Sequence, residues 1–238
     1  MAARLEWVKA HETWIILDWM KIIWFDESSI QIEFDSRQTV VFRRKDEEYN
    51  SECLCPSFKS KGVNIMIWGC FARNRLDSLM FCELKGIEAE EYIEILLEGL
   101  LSFVDDFLGV EDEDTIHVKW SGDLIFMQDD ALCHKTLDIM HFLDEFDLQV
   151  MIWPAQSPDL NLIENLWHIL KVKFHQRYTD LHCSLSKSQK AIYNYDDILR
   201  QVWSELDFTA VSNLIRSMLE RVQAVIAVRG GVICYWYG

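Results

Sequence analysis

L-Q-V-M-I-W-P-A-Q-S-P-D-L-N-L-I-E-N-L-W-H-I-L, residues 148–170, decides the fold. Its first six residues form a short apolar run, the signature of a buried strand. Pro154 and Pro158, two of only three prolines in the chain, bracket Ala155-Gln156-Ser157 and impose a sharp turn. Asp159 follows as a candidate helix N-cap. Beyond it Leu160, Ile163, Trp167, Leu170 and Phe174 recur at spacings of 3, 4, 3 and 4, the stripe of a helix with one buried face. Glu164 lies about 100° around that helix from Ile163, on the flank of the stripe and near its start. The stretch therefore reads as strand, tight turn and helix, with a carboxylate returned to the end of the strand.

The same pattern extends outward. Upstream, L-I-F-M (124–127) is another short buried strand, ending in Gln128-Asp129-Asp130. Leu137, Met140, His141 and Leu143 predict a helix over 132–145. Tyr92, Ile95, Leu96, Leu100 and Phe103 predict one over 89–103. Near the N-terminus, I-I-W-F (22–25) is an apolar run that stops at Asp26-Glu27-Ser28-Ser29. Ile30, Ile32 and Phe34 then alternate with polar residues as in a half-exposed strand, and V-N-I-M-I-W-G-C-F-A (63–72) predicts a further strand. Residues 4–20 have loosely helical spacing, and helices follow residue 170 to about residue 227. The order β-β-β-α-β-α-β-α implies a mixed sheet of the α/β class, antiparallel first and parallel where helices make the crossovers.

Composition bounds the function. The 238 residues carry 39 acids against 23 Lys and Arg, a net charge of −16, yet half are hydrophobic and 13% aromatic. Such a chain folds, and it is not a generic basic nucleic-acid binder. The charge is nevertheless polarised. Residues 83–114 hold twelve acids and one Lys, whereas 36–45 and 56–75 each hold four basic residues and no acid. Residues 165–190 hold five basic residues and one acid. Arg43, Arg44, Lys45, Lys59, Lys61, Lys171 and Lys173 are thus candidate phosphate contacts. No run reaches the roughly 18–20 apolar residues of a membrane span, and the charged N-terminus is unlike a signal peptide. The seven cysteines, odd in number and mostly in apolar runs, read as reduced residues of an intracellular protein. Cys53 and Cys55 have no second Cys/His pair at a zinc spacing. Of ten tryptophans, Trp24, Trp68, Trp153 and Trp167 fall at core positions, while Trp120 lies in a polar neighbourhood.

Asp26 and Asp129 each follow a short apolar strand, and strand ends of open α/β sheets are where ligands collect. Taken singly, such an Asp is ordinarily a turn former, and Glu164 a partner of the helix dipole. Brought together, three carboxylates repel one another unless they share a cation, and oxygen ligands select Mg²⁺ or Mn²⁺.

Several motifs resemble the catalytic domain of the Tc/mariner transposases of the DDE superfamily. W-F-D-E-S (24–28) resembles the family's first-aspartate motif, and F-M-Q-D-D-A-L-C-H (126–134) its second. W-P-A-Q-S-P-D-L-N-L-I-E-N-L-W (153–167) resembles the third, which ends in the catalytic glutamate; 34 residues separate Asp129 from Glu164. I-M-I-W-G-C-F (65–71), E-Y-I-E-I-L (91–96) and R-V-Q-A-V-I-A-V-R-G-G (221–231) are also similar to family segments. Asp130 stands where the family usually has Asn, and Leu132 and Leu162 where it has Pro.

The resemblance implies an RNase H-like five-stranded mixed sheet flanked by helices, with C-terminal helices. It implies Asp26, Asp129 and Glu164 as catalytic and metal-binding residues, with two Mg²⁺ or Mn²⁺ ions. The implied activity is cutting phosphodiester bonds at transposon ends and joining the 3′-hydroxyl to target DNA in the nucleus. The expected partners are transposon-end and target DNA and a second protomer in a synaptic complex, with no membrane or small-molecule substrate. His134 joins the basic residues as a candidate DNA contact. The expected layout is a leading linker or helix (1–20), a catalytic domain (21–180) with an acidic insertion at about 105–118, and a C-terminal helical extension (181–238). Residues 4–11 resemble the family's linker into the catalytic domain, so an N-terminal DNA-binding region is expected to be lacking. A stand-alone RNase H-like nuclease and a catalytically inactive or domesticated DNA- or protein-binding domain are the alternatives.

Overall fold

The computed structural model describes residues 1–32, 63–73, 75–77, 79–82, 89–104, 124–129, 134, 136–146, 148–178 and 189–234. In chain order the elements are α1 (Ala2–Ala10), α2 (Ile16–Trp19), β1 (Ile22–Ile32), β2 (Val63–Ala72), β3 (Arg75–Leu76), β4 (Met80–Cys82) and α3 (Ala89–Ile95). A π-helical stretch, Leu96–Leu101, continues α3. Then come β5 (Ile125–Met127), α4 (Leu137–Glu145), α5 (Ile163–Tyr178), α6 (Gln189–Ser204) and α7 (Phe208–Ala227).

The sheet runs β3-β2-β1-β5, with β4 also paired to β2. β1 is antiparallel to β2 from Ile23↔Ala72 to Ile32↔Val63. It is parallel to β5 from Ile22↔Ile125 to Trp24↔Met127. The mixed five-stranded sheet flanked by helices is therefore as expected, but two of its strands differ in detail. The run at 22–25 and the described residues 30–32 of the next belong to one continuous strand over Ile22–Ile32, so Asp26 sits within β1, paired with Gly69, and not at its end. The polar residues Asp26 to Ser29 do not break it because β2 pairs along its whole length. Residues 148–153 make only a parallel bridge, Phe126↔Val150, with Phe126 N donating to Gln149 O (2.8 Å) and Met151 N to Phe126 O (2.8 Å). Pro154, lacking an N–H, cannot extend that pairing. The short β3 and β4 complete the five strands.

Alternation along the strands separates two cores. Ile22, Trp24, Ile30, Ile67, Phe71 and Met127 face α5, α6 and α7. Ile23, Phe25, Trp68, Cys70 and Phe126 face α3 and α4. The expected stripe on α5 is fully buried, as is the expected face of α3, and Trp24, Trp68, Trp153 and Trp167 are core residues. On α4 the helix is present but its inward face is Ile139, Phe142 and Leu143; Leu137 and Met140 are exposed. Thr136 caps this helix by accepting from Ile139 N, so it starts later than the spacing implied and turns a different face inward. Among the described residues, no helix is long and apolar enough to cross a membrane.

Candidate active site

The parallel register of β1 and β5 ends at Trp24↔Met127. Two residues further along β1 stands Asp26, on the same sheet face as Trp24, and Asp129 lies two residues beyond the end of β5. That face is the one covered by α5, whose second residue is Glu164. Asp26 and Glu164 are close enough to act on one another electrostatically. All three carboxylates line one cavity of ≈ 380 Å³ together with Trp153, Ser157 and Asn161.

The close seating of α5 has a local cause. Gly69 lies opposite Asp26 on β2, and a Cβ there would come 2.9 Å from Trp167 Cη2. Glycine lets Trp167 press onto the sheet beside Asp26, and Glu164 is three residues earlier on that helix. The turn before α5 is fixed from the other side. Asp159 is not the N-cap expected from sequence; it is buried and bound by Arg4 through Nη1 (2.8 Å) and Nη2 (2.7 Å), and it accepts from Ile233 N (2.9 Å). Arg221 Nη1 donates to Asp159 O (2.7 Å) and Nη2 to Asn165 Oδ1 (2.8 Å). Two buried arginines draw this segment inward, and α5 begins only at Ile163.

The site is short of positive charge. Burial raises Asp26 well above the ordinary carboxylate range, reinforced by the charges of Glu27, Glu164 and Asp129 and opposed by a hydrogen bond from Glu27 N. Glu164 is raised by burial, with the charge of Lys171 and the interaction with Asp26 opposing. Burial lowers Lys171, with Glu164 acting the other way. Asn161 was missed in the sequence reading, although it stands three residues before Glu164 in the motif itself. Its Nδ2 donates to Asp26 Oδ2 (2.9 Å) and, more weakly, to Phe25 O (3.4 Å). Because both neighbours are acceptors, the amide orientation is determined, and its buried Oδ1 has no hydrogen-bond partner among the described residues.

Asp129 is half exposed, and His134 Nδ1 lies 2.9 Å from its Oδ1. His134, a candidate DNA contact by sequence, is itself buried. Lys171 is half-buried near Glu164, and Lys173 Nζ approaches Glu205 O (3.5 Å). Arg43, Arg44, Lys45, Lys59, Lys61, Trp120, Asp130, Cys53, Cys55 and the acidic insertion lie outside the described residues. Among the described residues no three His, Cys, Asp or Glu side chains stand together as a formed metal site. The donor set nonetheless fits a hard cation: three carboxylates raised or crowded by mutual repulsion, and an unsatisfied amide oxygen, all on one cavity.

A mixed five-stranded sheet with one parallel pair, β1 and β5, flanked by helices is an RNase H-like fold. A model of the DDE superfamily endonucleases matches residues 21–182, and the chain belongs to that family, as a catalytic domain of the Tc1/mariner transposase type. It is 28% identical over 233 residues to the Tc1 transposase of Caenorhabditis elegans, covering 96% of this chain and 75% of that protein. It is 28% identical over 229 residues to the Tcb1 transposase of Caenorhabditis briggsae, with 96% and 75% covered. The fold is shared with the Mos1 transposase catalytic domain solved with raltegravir and Mn, at a TM-score of 0.62, 14% identity, and coverage of 98% of this chain and 95% of that one. In the Mos1 paired-end complex with the left transposon end, the TM-score is 0.64 at 15% identity, and this chain, 97% covered, spans 61% of that longer chain.

Proposed function

We propose that Asp26, Asp129 and Glu164 hold two Mg²⁺ or Mn²⁺ ions, and that this site cuts phosphodiester bonds at transposon ends and joins the 3′-hydroxyl to target DNA. The observation that supports the reading is a shared cavity: Asp26 on β1, Asp129 just beyond β5 and Glu164 near the start of α5 all line it. Bound divalent ions would activate the attacking oxygen and stabilise the leaving one. The chain's own contribution is to hold the ligands. Burial and neighbouring acids make the charged form of Asp26 costly, so a cation is favoured there. Asn161 fixes one Asp26 oxygen, and the backbone of Glu27 fixes the other.

Around this site, residues 21–180 are read as the catalytic unit, with 1–20 leading into it and 181–238 extending it. Lys171, Lys173, Arg43, Arg44, Lys45, Lys59 and Lys61 are proposed to meet DNA phosphates, in a homodimer that synapses two ends in the nucleus. The test supplies the full chain with pre-cut and uncut terminal oligonucleotides and Mn²⁺. Nicking or strand transfer is expected, and Asp129→Asn or Glu164→Gln lowers its rate about a thousandfold, the loss of about 4 kcal/mol of transition-state stabilisation. Variants as active as the wild type would remove these residues from catalysis. Cleavage of DNA/RNA hybrids without strand transfer would favour a stand-alone nuclease, and inertness of all proteins a binding domain.

A further inference from the structure

Behind the sheet, on the face opposite Asp26, a second cluster surrounds His134. The imidazole is 3% exposed and lies flat on Tyr92, with centroids 4.3 Å apart and planes at 23°. Phe25 packs against it at 5.9 Å. Tyr92 in turn donates its hydroxyl to Gln128 Oε1 (2.9 Å), in the residue before Asp129. Both ring nitrogens face acids through electrostatic contacts without hydrogen-bond alignment: Nδ1 is 2.9 Å from Asp129 Oδ1, and Nε2 is 3.6 Å from Glu27 Oε1. Glu27 follows Asp26 and gives its backbone N–H to Asp26 Oδ1 (2.8 Å).

A ring that served only to fill this space would be better apolar, since burying two ring nitrogens costs free energy unless polar partners are met. We propose that His134 is a positioning residue: packed on Tyr92 with Nδ1 against Asp129, it holds the half-exposed Asp129 carboxylate in orientation, its other nitrogen facing Glu27. The inference rests on the reading of Asp129 as a metal ligand. A carboxylate engaged at one oxygen loses rotational freedom, and such outer contacts to ligating groups commonly govern metal affinity. It also gives His134 a role directed at the protein's interior instead of at DNA.

The test is Mn²⁺ titration calorimetry on the full chain, with melting temperatures measured alongside. His134→Phe keeps the stack on Tyr92 and removes both polar contacts. His134→Asn loses the stack but presents an amide where Nδ1 was. The expected result is a roughly 10- to 100-fold weaker Mn²⁺ affinity for the Phe variant, with the Asn variant within about threefold of wild type. A Phe variant that binds Mn²⁺ like wild type, with Asn the impaired one, would show packing alone and overturn the proposal. If the Phe variant does not fold, His134→Gln takes its place, because its longer amide mimics Nε2 and leaves Asp129 uncontacted. Asn is then expected to bind more tightly than Gln, and equal affinities would overturn the proposal. Asp129→Asn separates the two levels. If it leaves Mn²⁺ binding intact, the metal-ligand reading itself fails; if it abolishes binding while His134→Phe changes nothing, only the positioning role fails.

Discussion

Asp26 concentrates the electrostatic strain of the site, because it is buried and has Glu27, Glu164 and Asp129 around it. Both Asp26 and Glu164 hold a proton more tightly in the folded chain than in the unfolded one. Between the ordinary carboxylate range and their raised folded values, the folded state therefore binds more protons, and stability falls as pH rises. In chelator, the melting temperature of wild type is expected to fall more steeply from about pH 5 to pH 7.5 than that of Asp26→Asn. Mn²⁺ is expected to restore the wild type at the higher pH and to do little for the variant. Melting curves by circular dichroism at the two pH values check both statements, and parallel pH slopes for the two proteins would contradict them.

At the scale of elements, the site depends on how α5 is seated. Gly69 admits Trp167, which stacks on Trp203 at 5.0 Å. Gly69→Val would force this pair off the sheet, costing about 1–3 kcal/mol by overpacking and weakening Mn²⁺ binding, because Glu164 rides on the same helix. At the other end, Asp159 links α1 through Arg4 with the chain that follows α7 through Ile233. Asp159→Ala would leave the buried Arg4 guanidinium without its counter-charge, holding only backbone carbonyls such as Gly230 O and Gly231 O, at a cost of about 3 kcal/mol. That loss appears as a lower urea midpoint at unchanged slope. Arg4→Met combined with Asp159→Leu should recover part of the loss, since an apolar pair leaves no buried charge; Ile233 N would still lack its acceptor.

Across the whole molecule, the net charge of −16 opposes DNA, so the proposed function requires binding through local basic segments and through cations at the acidic site. Affinity for a non-specific duplex is expected to be weak in chelator and to rise with Mn²⁺. In chelator, Glu164→Gln should bind duplex more tightly than wild type, because it removes a negative charge facing the phosphates. Lys171→Ala should lower affinity and reduce the log–log salt slope by about one. Fluorescence anisotropy over a salt series measures all three effects, and an unchanged slope would remove Lys171 from the interface.

Local pattern was enough to place most helices, and the resemblance of the motifs around them marked the carboxylates. Apolar runs next to Asp26 and Asp129, and the 3-and-4 spacing around Glu164, are properties of neighbouring residues and survive without a structure. Long-range partners were not legible. Asp26 looked like the end of a strand because its polar neighbours carry no sign that β2 pairs past them. Asp159 looked like a cap because Arg4 and Ile233 are remote in sequence. Leu137 and Met140 looked buried because periodicity gives a helix but not which face meets the sheet. Asn161 and His134 acquire their roles only where the folded chain sets an amide on Asp26 and an imidazole between Asp129 and Glu27. The sequence by itself determined the class of fold, which follows from periodicity along the chain, and its motif resemblance singled out the three acids as candidates. The tertiary structure alone decided how the acids are aligned and held, because register, burial and remote hydrogen bonds exist only once distant segments pack together.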